Sequence, residues 1–179
     1  MKNILLRLVD KYRRITESYI TYSRRLGVSI GDNCKLNDIP SWGSEPYLIS
    51  IGDHVELSNG VSFITHDGAT WVFRDEEEYK DVIKYGKIDI LDNSFIGMKS
   101  TILPGPQGIT IGPNSIVGAC SLVTKTIPPN TVYAGVPAKF ICTLDEYKKK
   151  CKEMTPVYDK QRYKQDKKNE VIRVYKNEA

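Results

Sequence analysis

This sequence holds little of what several functional classes require. Its 179 residues include two histidines, two tryptophans and four cysteines. No run approaches the roughly 18 apolar residues of a membrane-spanning helix. The first residues do not read as a secretory leader, because their longest apolar run, Ile4-Leu5-Leu6, is followed at once by Arg7, Asp10, Lys11, Arg13 and Arg14. Cys34, Cys120, Cys142 and Cys151 show neither a CxxC spacing nor the density of a disulfide framework. Reduced thiols and a cytoplasmic location are the expectation. A GxSxG nucleophile elbow is missing, so no enzyme nucleophile of that kind is evident. The net charge of +4 is unevenly spread: seven bases face two acids in residues 1–29 and eleven face seven in 144–179, leaving eight against thirteen between. An acidic centre with basic ends is not the continuous basic stripe of a nucleic-acid binder.

What is present is a six-residue period. Ile90, Ile96 and Ile102, then Ile111, Val117 and Val123, recur at a spacing that suits neither a helix nor an ordinary hairpin. It is a hexapeptide β-helix repeat. The starts IGDN at Ile30, IGDH at Ile51, ILDN at Ile90 and IGPN at Ile111 mark successive coils. Three hexapeptides make one coil, and in each interrupted coil the surplus falls in the third: residues 42–50, 63–89 and 102–110. Coils stack ~4.8 Å apart, so inward aliphatic side chains align into columns and the insertions collect along one edge. That edge is where function is expected.

Residues 3–25 predict one amphipathic helix, with Ile4, Leu5, Leu8, Tyr12, Ile15, Tyr19, Tyr22 and Leu26 at helical spacing and Gly27 ending it. One reading makes it a cap over the first coil; another rests it on an anionic membrane surface. The insertion at 39–50 is expected to bring Trp42, Glu45 and Tyr47 to the loop edge. In the long insertion 67–87, DEEEYKDVIKYG is compatible with a short helix. Pro128, Pro129 and Pro137 blunt the end of the stack. Thr143 and Glu146 form a capping box that starts a helix running to about Met154. The charged stretch beyond Pro156 reads equally as extended, partly helical or ordered by a neighbouring subunit. The expected divisions are 1–29, 30–142 and 143–179.

Three stretches carry a resemblance: the IGDx coil starts, FITHDGATWVFR at 63–74, and IVGACSLVTKTIPPNTVYAGVPAK at 116–139. Over roughly residues 27–141 the chain resembles the hexapeptide-repeat acyltransferases, and among them the capsular and lipopolysaccharide sugar O-acetyltransferases. The resemblance implies a mainly β fold, a single-stranded left-handed parallel β-helix with helices at both ends, assembled as a homotrimer. It further implies acetyl-CoA as co-substrate, no metal, and a sugar acceptor within a polysaccharide precursor. An amino-sugar N-acetyltransferase, a xenobiotic acetyltransferase and a non-catalytic scaffold are the alternatives. The γ-carbonic anhydrases use the same coil but need three histidines.

His66 matches the family's catalytic histidine, a base that takes the acceptor hydroxyl proton. Asp67 or Glu56 could orient it, and His54 reads as an exposed turn residue. Gly97, Met98, Ala119 and Thr124 match positions along the pantetheine arm, and Lys125 and Lys139 match basic positions near the CoA phosphates. Cys142 stands where some sugar acetyltransferases carry a further base. Trp71, Phe73 and Arg74, with Trp42, Glu45 and Asp67, are the candidates for the acceptor side.

Overall fold

The computed structural model describes residues 2–176, with side chains described from Arg7 onward. The chain forms two compact units, dividing between Leu144 and Asp145. Among the described residues no helix is long and apolar enough to cross a membrane.

The first unit begins with two helices rather than one, α1 (Lys2–Thr16) and α2 (Tyr19–Leu26). Ser18 causes the break: its backbone is extended, and its hydroxyl accepts the Thr21 N–H as the cap of α2. Ile4 and Leu5, part of the predicted stripe, lie outside the residues whose side chains are described. Gly27 ends α2 at φ 110°, a left-handed conformation that glycine adopts without steric cost.

The coils follow in order. Coil one holds β1 (Ser29–Ile30) and β2 (Lys35–Leu36); coil two holds β3 (Ile49–Ile51), β4 (Glu56–Leu57) and β5 (Ser62–Phe63). An antiparallel pair, β6 (His66–Asp67) and β7 (Lys84–Tyr85), closes the base of the long insertion. Coil three holds β8 (Ile88–Ile90), β9 (Phe95–Ile96) and β10 (Thr101–Ile102), and coil four β11 (Ile109–Ile111), β12 (Ile116–Val117) and β13 (Leu122–Val123). The end is a hairpin of β14 (Thr131–Ala134) and β15 (Lys139–Thr143).

These strands form three parallel faces. β1, β3, β8 and β11 make the first; β2, β4, β9, β12 and β14 the second, with β15 added antiparallel; β5, β10 and β13 the third. Ile30, Ile51, Ile90 and Ile111 are in register, as are Leu36, Leu57, Ile96 and Val117. Phe63, Ile102 and Val123 form the third column. All of them are buried. Between the first two faces the chain turns through left-handed residues: Asn33, His54, Asn93, Asn114 and Asn130, with φ from 53° to 59°. Asparagine suits that conformation, and the side chains bond in a ladder from His54 through Asn93 and Asn114 to Asn130. His54 is a member of this corner.

Trp42 departs from expectation. It is 4% exposed, and its ring stacks on Phe63 at 4.9 Å. It therefore completes the third column in coil one, supported by the bridge between Ser41 and Ser62, and is not presented at the loop edge. Its indole N–H donates to Ser23 Oγ of α2 at 3.0 Å. α2 thus covers the open end of the coil, and the Arg24 guanidinium bonds the carbonyls of Ile30 and Gly31 there. Those acceptors would otherwise have no coil beneath them.

The acidic stretch of the long insertion forms no helix. Asp75 and Glu78, three residues apart, would repel on one helix face, and successive turns stand there instead. The helical segment is a 3₁₀ turn just upstream, Gly68–Phe73. Helix α3 (Leu144–Met154), which begins at the division between the units, is followed by α4 (Lys160–Gln165) and α5 (Lys167–Lys176), so the stretch after Pro156 is mostly helical. Glu170, buried, accepts two bonds from Arg173 and one from the Asp159 N–H.

Two expectations follow. Trp42→Ala should cost about 3–5 kcal/mol of stability in urea unfolding, as aromatic truncations in a core do, while Trp71→Ala at the surface should leave the midpoint unchanged. The Arg173 bonds hold the Glu170 carboxyl at about 2. Because that value is depressed, the pair's contribution to stability is complete above the ordinary glutamate range and is lost as pH falls toward 2. Carbon-detected NMR titration should find this midpoint, and Arg173→Ala should return it to the ordinary range.

Candidate active site

The insertions of coils one, two and three all open from the end of the third face, so they gather on one edge. Gly43 turns the first against the second: at φ 71°, a Cβ on it would lie 3.0 Å from Phe63 O and 3.2 Å from Thr65 Oγ1. The chain then enters a short 3₁₀ turn, Pro46–Leu48, preceded by Glu45. The second insertion is tied at its base by the pairing of His66 with Tyr85 and Asp67 with Lys84, and by the Gly86 N–H to Thr65 O. Gly86 in turn lies against Pro104 and Gly105 of the third insertion, leaving no room for a Cβ.

His66 sits at this base, half-buried. Its Nδ1 lies 3.9 Å from Oε1 of the buried Glu45, too far for a hydrogen bond but close enough for electrostatic attraction once the ring is protonated. Glu45 is itself fixed, because its Oε2 accepts the Thr65 hydroxyl at 2.8 Å. The Tyr85 ring packs on the imidazole at 4.9 Å. The other imidazole nitrogen, Nε2, is buried and has no hydrogen-bond partner. Nδ1 thus faces a fixed carboxylate, and Nε2 is the ring nitrogen left without a protein partner.

The two expected orienting carboxylates are elsewhere. Glu56 lies on the second face, where Lys35 at 3.0 Å, with Asn37, holds its carboxyl below the usual range against the opposing effect of burial. Asp67 bonds Lys84 and the Ala69 N–H, and these hold its carboxyl down as well. Both Asp67 oxygens are thus engaged within the hairpin. Glu45, read from the sequence as an acceptor contact, is the carboxylate facing His66. Tyr85 and Lys84 enter through the antiparallel register of the hairpin, which no local pattern encodes, and Thr65 enters through its hydroxyl bond to Glu45.

Trp71 is exposed on the long insertion, and Arg74 bonds Thr70 Oγ1 at 2.6 Å while its buried Nε has no partner. Phe73 packs edge-on against Tyr79. Trp42 is excluded from this set by its burial. The candidate cofactor residues divide between two corners of the prism. Met98 and Ala119 are exposed neighbours at the corner between the second and third faces. Thr124 and Lys125 are exposed at the next corner, on the same edge as His66 and two coils further on, about 10 Å of coil rise. Lys139 is exposed at the start of β15. Gly97 does not reach the outside: it is buried, and a Cβ there would lie 2.5 Å from Ala119 N, so coil stacking requires this glycine.

A parallel coil with hexapeptide columns and a histidine at its loop edge defines a class, and the comparisons agree with it. The family described as the hexapeptide repeat of succinyl-transferase matches residues 88–125. Protein CapG of Staphylococcus aureus is 41% identical over 169 residues, covering 93% of this chain and 92% of that protein. A solved maltose O-acetyltransferase from Clostridium difficile 630 superposes with a TM-score of 0.53 at 34% identity, over 65% of this chain and 59% of that one. A hexapeptide-repeat acetyltransferase from Vibrio cholerae, complexed with acetyl-CoA, shares the fold with a TM-score of 0.54 at 22% identity, over 75% of this chain and 82% of that one. The chain belongs to the hexapeptide-repeat acetyltransferase family. It is an acyltransferase.

Proposed function

We propose that this chain transfers an acetyl group from acetyl-CoA to a hydroxyl of a sugar-containing acceptor, with His66 as the general base. The observation that carries this reading is the placement of His66 at the base of the longest insertion, with Nδ1 3.9 Å from Oε1 of a Glu45 carboxylate that the Thr65 hydroxyl fixes. The relative named as a maltose O-acetyltransferase supports a sugar hydroxyl as acceptor, and a polysaccharide precursor is the acceptor that the sequence resemblance implies. Left-handed winding of the coil belongs to the same reading.

In this proposal residues from both corners serve the co-substrate. Ala119 leaves space where a large side chain would obstruct, Thr124 offers a hydroxyl, and Lys125 and Lys139 supply exposed cations for phosphates. Acetyl-CoA supplies the acetyl group as an activated thioester. His66 Nε2, which must be uncovered for the acceptor to reach it, takes the acceptor hydroxyl proton while the oxygen bonds to the acetyl carbon, and gives that proton to the departing sulfur. During this exchange the ring carries a positive charge, which Glu45 attracts through Nδ1. Thr65 and Tyr85 keep the carboxylate and ring in place. Trp71 and Arg74, on the insertion that His66 opens, are the acceptor-side groups of this proposal.

His66→Ala should lower kcat by roughly two to four orders of magnitude, with acetyl-CoA affinity by calorimetry nearly unchanged. Glu45→Gln should lower kcat about tenfold or more at unchanged KM, since it removes the charge but retains an acceptor for Thr65. His54→Asn, which fits the asparagine corner, is the control and should turn over normally. Normal turnover in His66→Ala across sugars, amino sugars and nucleotide sugars would reject the mechanism. The assembly belonging to this proposal is a closed trimer, so light scattering should give about 60 kDa from chains of 20.3 kDa; a 20 kDa species would reject it.

A further inference from the structure

The break at Ser18 separates two roles that one amphipathic helix would have combined. α2 turns inward: Tyr22 and Ser23 are buried, and Ile20 packs on the core. α1 is held to α2 from its polar side, where Asp10 accepts the Tyr22 hydroxyl at 3.0 Å. Over residues 7–16 the opposite side of α1 is left outward and is apolar. Leu8, Tyr12 and Ile15, at i, i+4 and i+7, are 59%, 68% and 75% exposed. Arg7, Lys11 and Arg14 flank this stripe on the helix circumference and are exposed. Among residues 7–16 the one acid, Asp10, is the residue turned toward α2.

We infer that α1 docks on an anionic membrane surface, lying in the plane of the interface. The chemistry that selects this partner is the pairing of an apolar stripe with cations along its border. Leu8, Tyr12 and Ile15 would enter the boundary between headgroups and acyl chains, and the long Arg and Lys side chains would reach anionic headgroups beside them. A second copy of this chain is the poorer occupant, because two such stripes brought together would juxtapose their rows of like charge. The inference does not depend on the acceptor or on the role of His66. It places acetyl transfer at the surface of an anionic bilayer.

The test is co-sedimentation of the full chain with phosphatidylglycerol–phosphatidylcholine vesicles and with pure phosphatidylcholine vesicles, at low and high salt. Binding to the anionic vesicles should exceed binding to neutral ones at least tenfold and should weaken with salt. Arg7→Gln/Lys11→Gln should lose about fivefold per cation removed, and Leu8→Ser/Ile15→Ser should abolish binding even at low salt. Both variants should keep the wild-type melting temperature and subunit number. Wild-type protein that stays in solution with both vesicle types would overturn the inference. So would vesicle binding indifferent to both variants, which would assign it to the lysine-rich residues beyond 144. A Leu8→Ser/Ile15→Ser variant that changes subunit number in light scattering would overturn it as well, making the stripe an interface between copies.

Discussion

Everything in the first unit depends on register between coils. Ile30, Ile51, Ile90 and Ile111 meet one above another, and the inner strands' backbones bond to the coils on either side. A coil of two- and three-residue strands has no stability alone; it acquires a core and partners for its polar backbone only by stacking. The corners obey the same constraint. Ser94, Ser100 and Ser115 are buried there, and their hydroxyls bond to carbonyls of the following turn, Gly112, Gly118 and Pro128. Serine at these corners supplies a donor inside the stack, where an unpaired carbonyl would be costly.

Stacking also dictates what happens at its limits. At the first coil the outer carbonyls of Ile30 and Gly31 have no neighbour, and Arg24 meets them with a planar fork of donors. At the last coil the second face receives β15 running antiparallel, and the Leu122 carbonyl accepts from Ala138 N–H. Different devices serve the two ends because the chain arrives at one as a helix and leaves the other as a hairpin.

The columns were legible in the sequence because a period of six has few physical sources, and the insertions identified the functional edge by interrupting it. What escaped reading was position within that edge. Trp42, in an insertion beside Glu45 and Tyr47, has the composition of a binding loop, yet it falls six residues after Leu36 and so takes the third-column position of coil one, as the bridge between Ser41 and Ser62 bears out. Glu45 is legible as a site residue, but that it faces His66 emerges only when Trp42 and Phe63 are placed in one column and both segments are followed outward from it. Tyr85 and Lys84 enter through an antiparallel pairing across an insertion rich in charge, where neither period nor propensity fixes a register. The single predicted helix failed for a local reason: Ser18 caps α2 although the apolar spacing runs on through it.

The burial of Trp42 explains the geometry of the site. Trp42 and Phe63 occupy the same column in adjacent coils, with rings stacked 4.9 Å apart. Glu45 lies three residues beyond the first and His66 three residues beyond the second. Both chains leave the core in step, and Gly43 and Thr65 maintain their close approach over the intervening residues. The carboxylate therefore faces the imidazole because the repeat brings equal offsets from one column to the same place on the edge. Loops ordinarily hold side chains loosely, but these two segments diverge only after leaving a common aromatic anchor. A substitution at Trp42 would thus act twice: once through the cavity it leaves in the core, and again through the position of Glu45 relative to His66. Stability of the first coil and orientation of the base are consequences of the same stacked pair.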